Sequence, residues 1–174
     1  LPEFRGEQNK PFIFSDCAVT IDPNAQQLAD IALASHNSAS KLLPDTPRVG
    51  MLSFSTQGSA AHELVDKVTE ALAIVRERDP NALVDGEFQL DSAIVPGVAA
   101  KKVKRESEVA GQANVLVFPD LNTGNVAYKL TQYMGGAQAI GPFLQGFAKP
   151  ISDLSRGASI DDIVATTAIV LAMA

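Results

Sequence analysis

The chain has 174 residues, 46% of them hydrophobic, a single Cys and a formal net charge of −6. Its mean hydropathy of +0.09 is too high for a disordered chain, and a sequence pI near 4.8 argues against general nucleic-acid binding. No run approaches the ~18 apolar residues of a membrane-spanning helix, and the start Leu1-Pro2-Glu3-Phe4-Arg5 lacks the charged and apolar regions of a signal peptide. The lone Cys17 cannot close an internal disulfide, which points to a reducing cytoplasm. His36 and His62 are far apart in sequence, so no metal site is expected.

In chain order, Phe12-Ile13-Phe14 and Cys17-Ala18-Val19 read as a strand. Asp22-Pro23 predicts an N-cap with Pro at the first helical position, opening a helix over 23–39. Pro44, Asp45 and Pro47 mark a loop, and Val49 to Ser53 a strand. A hydroxyl-rich loop follows, Ser53-Phe54-Ser55-Thr56-Gln57-Gly58-Ser59-Ala60, with Ser59 as the expected cap. The next helix carries Leu64, Val68, Leu72 and Val75 on its apolar face and ends at Asp79-Pro80-Asn81. Leu83 to Glu87 is a brief strand, 91–98 is partly helix or loop, and 101–112 is polar and exposed.

Asn114-Val115-Leu116-Val117-Phe118 is the strongest strand signal, a continuous apolar run of the kind buried on both faces of a parallel sheet. A helix with Val126, Ala127, Leu130 and Met134 on one side stops at Gly135-Gly136. Residues 140–147 are interrupted by Gly, with room for a strand, and a last helix covers 160–173 with the stripe Ile160, Ile163, Val164, Thr167 and Leu171. Alternating strands and helices predict an α/β fold, a mainly parallel sheet with helices on both faces. Ligands of such sheets bind beyond the carboxyl ends of the strands, so 15–22, 53–60, 85–90, 119–125 and 149–159 are the candidate segments.

The richest of these is Lys149-Pro150-Ile151-Ser152-Asp153-Leu154-Ser155-Arg156-Gly157-Ala158-Ser159-Ile160-Asp161-Asp162. Ser159 with Asp162 three residues on matches a capping box, so Asp162 reads first as a cap and second as a general base. Arg156 and Ser155 either bind a protein carboxylate or polarise a carbonyl or phosphoryl oxygen. Ser55 and Thr56 lie in a loop able to cradle phosphate, without the pattern of a P-loop. Asn122 and Gly124 open a helix, where Gly124 permits close approach of a backbone or ligand. The basic run Lys101-Lys102-Val103-Lys104-Arg105 is either solvated or attracts a polyanion. Cys17 reads as a buried, small apolar residue.

Four stretches together resemble the phosphate acetyltransferases of the phosphate acetyl/butyryltransferase family. They are Phe14-Ser15-Asp16-Cys17-Ala18-Val19, Ser53 to Ala60, Asn114 to Asn125, and Gly141-Pro142 through Asp162. The resemblance implies reversible transfer of an acetyl group between acetyl phosphate and coenzyme A, by direct thiolate attack in a ternary complex. Coenzyme A is then a substrate, with no permanently bound cofactor or metal. Asp162 matches the family base, and Ser155 and Arg156 match the residues that bind acetyl phosphate and stabilise the oxyanion. Ser159, Ser55, Thr56, Asn122 and Gly124 are the expected substrate-binding positions. Ala158 stands where relatives often carry Cys, and Ile140 where some carry Tyr.

Family members have two α/β domains with the site between them. The resemblance therefore implies that 1–141 is the second domain and that 142–174 returns to a first, upstream domain absent from this sequence, leaving the last helix with an uncovered apolar stripe. It also implies a homodimer. The alternatives are a phosphate butyryltransferase, an acetyl-CoA-sensing regulatory domain of the kind fused to malic enzymes, and a bare dimerisation domain.

Overall fold

The computed structural model describes residues 1–174. Its centre is a four-stranded, all-parallel sheet in the order β3-β6-β4-β5, formed by Ile13–Ser15, Val115–Val117, Val49–Leu52 and Val84–Phe88. Val115 is level with Ile13 on one side and with Val49 on the other. As the apolar run 114–118 predicts, β6 is buried throughout its length. Two small antiparallel hairpins flank the sheet: β1–β2 (Glu3–Phe4 with Glu7–Gln8) and β7–β8 (Phe143–Leu144 with Ile151–Ser152).

Helices cover both faces. Val49, Met51, Val115 and Val117 point to one side, where α1 (Ala25–Leu42) and α2 (Glu63–Arg78) bury Leu28, Ala32, Val68, Leu72 and Val75 against them. Leu52, Leu116, Phe118 and Phe88 pack on the other side with Ala93 of α3 (Leu90–Ile94), with Val109 and Ala113, and with Ala127 of α5 (Leu121–Tyr133). This alternation is the period-two geometry of a strand applied to runs apolar on every residue. A short helix α4 (Pro96–Lys102) follows α3, and α6 spans Ile160–Met173.

Several expectations are corrected. Residues 17–19 are not strand: Asp16 accepts hydrogen bonds from the N–H groups of Ala18, Val19 and Thr20 and folds them into a turn. Asp22 does not cap α1. Asn24 does, in a capping box with Gln27, while Asp22 pairs with Lys67. Ser59 does not cap α2: His62 Nδ1 accepts from the Leu64 N–H, and the helix begins one residue later. That start aims Val65, Val68, Leu72 and Val75 at the core and turns Leu64, about 100° away, to solvent. Segment 101–112 is not uniformly exposed, because Val109 is buried and Arg105 is tied to Asp85.

Helix α5 also departs from its sequence pattern. Val126, Leu130 and Met134 are exposed, and the small residues Gly124 and Ala127 face inward instead. A Cβ on Gly124 would collide with the Asp16 carbonyl oxygen, so that close approach sets the rotation of the helix. In the last helix only Thr166 is buried, and Ile160, Ile163, Val164 and Leu171 are exposed. The C-terminal segment meets α1 through Gln145, whose amide donates to Ser38 Oγ and accepts from Ser35 Oγ, and through Lys41, which donates to the Met173 carbonyl.

Candidate active site

Three groups of candidate residues lie on three separate loops, and no hydrogen bond or ion pair joins one group to another. The first forms where β3 and β6 end. The Phe118 N–H donates to the Ser15 carbonyl at 2.7 Å, and the Leu121 N–H donates to the Ile21 carbonyl at 3.0 Å. Asp120 caps α5 through the Thr123 N–H. Asn122 is exposed on the first turn, and buried Gly124 presses that turn onto the Asp16 turn. Lys67 closes this corner from α2 by donating to Asp22 at 2.7 Å and to the Pro119 carbonyl at 3.0 Å.

Cys17 sits in the same corner. Burial, helped by the Asp16 charge, pushes its thiol up to about 12, so it remains protonated at neutral pH. Burial by itself would raise Asp16, but bonds from the N–H groups of Ala18, Thr20 and Val19 outweigh it and hold the carboxyl below its ordinary value.

The second group lies beyond β4 and β5. Ser55 is fully buried, and its hydroxyl donates to Glu87 at 2.7 Å while accepting from the Ala60 N–H. Glu87 also accepts from the Gly58 N–H at 2.7 Å. Thr56 is buried too: its hydroxyl accepts from the Gln89 N–H and donates to Ser92. Both hydroxyls thus brace the loop from inside. Glu87 is the residue that sequence reading missed here. A charged side chain on an otherwise buried strand was its only signal, since carboxylates are rarely buried without partners.

The third group is the loop before α6. Ser159 is the N-cap, and the capping box is complete. Asp162 Oδ2 accepts from the Ser159 N–H at 2.9 Å and from its hydroxyl at 2.8 Å, while the Asp162 N–H donates to Ser159 Oγ at 3.2 Å. The Ser159 backbone N–H, then its hydroxyl, hold the Asp162 carboxyl below its ordinary 3.8, and the Gln138 side chain adds a smaller part. Gln138 thus lies beside Asp162, a neighbour that no spacing in the sequence announces. Ser155 Oγ accepts a long 3.4 Å bond from the Gly157 N–H, and Arg156 is exposed with no ion pair or hydrogen bond of its own. A free guanidinium and a hydroxyl in the loop thus stand next to a carboxylate on the first turn of α6. No cluster of three His, Cys, Asp or Glu side chains has the geometry to hold a metal ion, and no helix is long and apolar enough to cross a membrane.

Comparison with known proteins follows the same lines. Residues 4–171 match the family described as phosphate acetyl/butaryl transferase. The chain is 53% identical over 172 residues to a phosphate acetyltransferase of Thermoanaerobacterium thermosaccharolyticum, covering 97% of this chain and 52% of the relative. It is 55% identical over 162 residues to the phosphate acetyltransferase of Clostridium acetobutylicum, covering 93% and 48%. It superposes on a phosphotransacetylase from Streptococcus pyogenes with a TM-score of 0.87 at 50% identity, covering 92% of this chain and 48% of that one. The chain spans about half the length of the curated relatives it matches. It belongs to the phosphate acetyl/butaryl transferase family.

Proposed function

We propose, from that membership and from the loop before α6, that the chain is part of a phosphate acetyltransferase, moving an acetyl group between acetyl phosphate and coenzyme A. The observation that carries the reading is an unpaired Arg156 and Ser155 in the exposed loop before α6, with Asp162 on the first turn of that helix, on a chain about half identical to phosphate acetyltransferases. Arg156 binds the phosphoryl oxygens and, with Ser155, steadies the negative charge that develops on the acetyl oxygen. Asp162 takes the proton of the coenzyme A thiol. The sulfur lone pair forms the new S–C bond, the C–O bond to phosphate breaks, and phosphate leaves with that electron pair. No covalent enzyme intermediate is needed.

A thiol near ~8.5 is a poor proton donor to a carboxylate held below 3.8. Position has to supply most of the effect, and covering this exposed loop would raise Asp162 by desolvation. We assign that cover to the part of the relatives' length that this chain does not span, with 1–141 as one unit and 142–174 as the segment that returns to the other. The exposed stripe of α6 supports this assignment. Asn122 and Gly124 shape the neighbouring corner, Ser159 orients Asp162, and Ser55 and Thr56 act by bracing the 53–60 loop. The exposed stripe of α5 suits a homodimer, and the lone Cys17 a reducing cytoplasm. The names of the relatives favour acetyl over butyryl transfer, and the retained Arg156, Ser155 and Asp162 favour catalysis over a sensing module.

The test is thioester formation from acetyl phosphate and coenzyme A by the natural protein that contains this sequence, beside its Asp162→Asn variant. A large fall in turnover with near-constant KM supports the base. Turnover per folded molecule that is unchanged, with lower stability, would reduce Asp162 to a helix cap.

A further inference from the structure

The outer edge of β5 borders a cleft of about 380 Å³ between α2 and the 103–107 loop, lined by Gln57, Thr69, Leu72, Arg76, Glu87, Lys104 and Arg105 with the Gly86 backbone. It is separate from the Arg156 loop in sequence and shares no residue with it. Two of its cations are fixed in place. Arg76 donates to Asp85 at 2.8 Å, and Arg105 grips both Asp85 oxygens and reaches the Gly86 carbonyl. Ser107 donates to the same carboxylate at 2.5 Å. Lys104 has no ion-pair partner. Three cations thus face two carboxylates, Asp85 and Glu87, which leaves a local excess of positive charge on a chain whose net charge is −6.

Gln57 adds an independent sign. Its Oε1 accepts from the Lys104 N–H at 3.0 Å, which fixes the direction of the amide. Its Nε2 is then a buried donor without an acceptor. A buried polar group left unpaired is destabilising, so such a donor at the wall of a basic cleft calls for an acceptor from outside. The residue also holds a left-handed φ of 48°, next to Gly58 at 77°.

We propose that this cleft binds a phosphate group, held by Lys104, by the free donors of Arg76 and by Arg105 Nε, with Gln57 Nε2 reached by a shift of its side chain. Phosphate matches the site by charge, by its several acceptor oxygens and by its fit to planar guanidinium donors. The ligand is either free phosphate or a phosphate on a nucleotide. The second source rests on the reading of coenzyme A as substrate; the first does not.

The experiment is calorimetric titration of the natural protein, carrying Arg156→Ala to silence the other anion-binding loop, with inorganic phosphate and separately with adenosine 3′,5′-bisphosphate at fixed ionic strength. Lys104→Ala and Gln57→Ala are each expected to weaken binding at least fivefold, with Lys101→Ala, outside the cleft, within twofold of the parent. Weakening toward both probes assigns free phosphate; weakening toward the bisphosphate alone assigns the nucleotide. No binding, unchanged binding in both cleft variants, or an equal loss in Lys101→Ala overturns the proposal. Because the readout is binding and not turnover, a failure here is distinguishable from loss of the transferase reading.

Discussion

The central sheet with α1 and α2, and the C-terminal segment with α6, are built from the same kind of sequence and end in opposite conditions. On the α1–α2 face of the sheet the stripes have partners: Val68, Leu72 and Val75 of α2 close against Val49 and Met51. In α6 a stripe at equally regular spacing, Ile160, Ile163, Val164 and Leu171, stays exposed, and Thr166 is its one buried residue. Amphipathic spacing makes a helix able to pack; whether it packs depends on what lies opposite. The unpaired Arg156 and the half-buried Asp162 belong to the less covered region, while the buried charges Asp85 and Glu87 are fully engaged in the other.

The sharpest test of that contrast is a truncation in the closed core. Phe88→Ala removes a fully buried ring from the sheet and is expected to cost about 3–5 kcal/mol in denaturant unfolding. A cost below 1 kcal/mol would mean that the core beneath β5 is not closed. The buried corner at β3 gives the next effect. With its thiol pushed up to about 12, Cys17 is expected to react with iodoacetamide at neutral pH at least about tenfold more slowly than an exposed thiol. Alkylation at the free-thiol rate would place Cys17 outside the packed region.

Gly124→Ala tests the same corner from α5. The new Cβ meets the Asp16 carbonyl oxygen, and about 1–3 kcal/mol should be lost, with a shift of the helix that exposes Ala127. A neutral result would show that α5 moves freely over β3.

Acid should divide the regions next. Asp162 is held below 3.8 in the folded chain, so its stabilising bonds to Ser159 are fully present above that value. They are lost as pH falls through the lower, folded value. The first turn of α6 is therefore expected to fray below about pH 4 while β6 amides remain protected from hydrogen exchange. Simultaneous loss of both would make the two regions one cooperative unit. The smallest effect closes the series. Val164, 63% exposed, should lose no more than about 0.5 kcal/mol on change to Ala. A larger loss in the natural protein than in this chain would reveal a partner seated on α6.

Much was legible in the residues. The run 114–118 declared a strand buried on both faces, the alternation of strands and helices declared the α/β class, and Ser159 with Asp162 declared the cap before α6. These are local signals: apolar runs, spacing, and short polar residues beside a helix start. Tertiary structure decided the rest. Val65 and not Leu64 faces the core because His62, a residue with little capping propensity, caps α2 two residues after the hydroxyl-rich loop ends. Gly124 and not Val126 faces the sheet because contact with the Asp16 carbonyl outranks the apolar stripe. Glu87 receives Ser55 and Gly58, Arg76 and Arg105 share Asp85, and Gln138 stands beside Asp162, all through chain crossings that no spacing encodes. Periodicity fixes which residues share a face; only packing fixes what that face meets, since the burial of a charge or a stripe is a property of both partners at once.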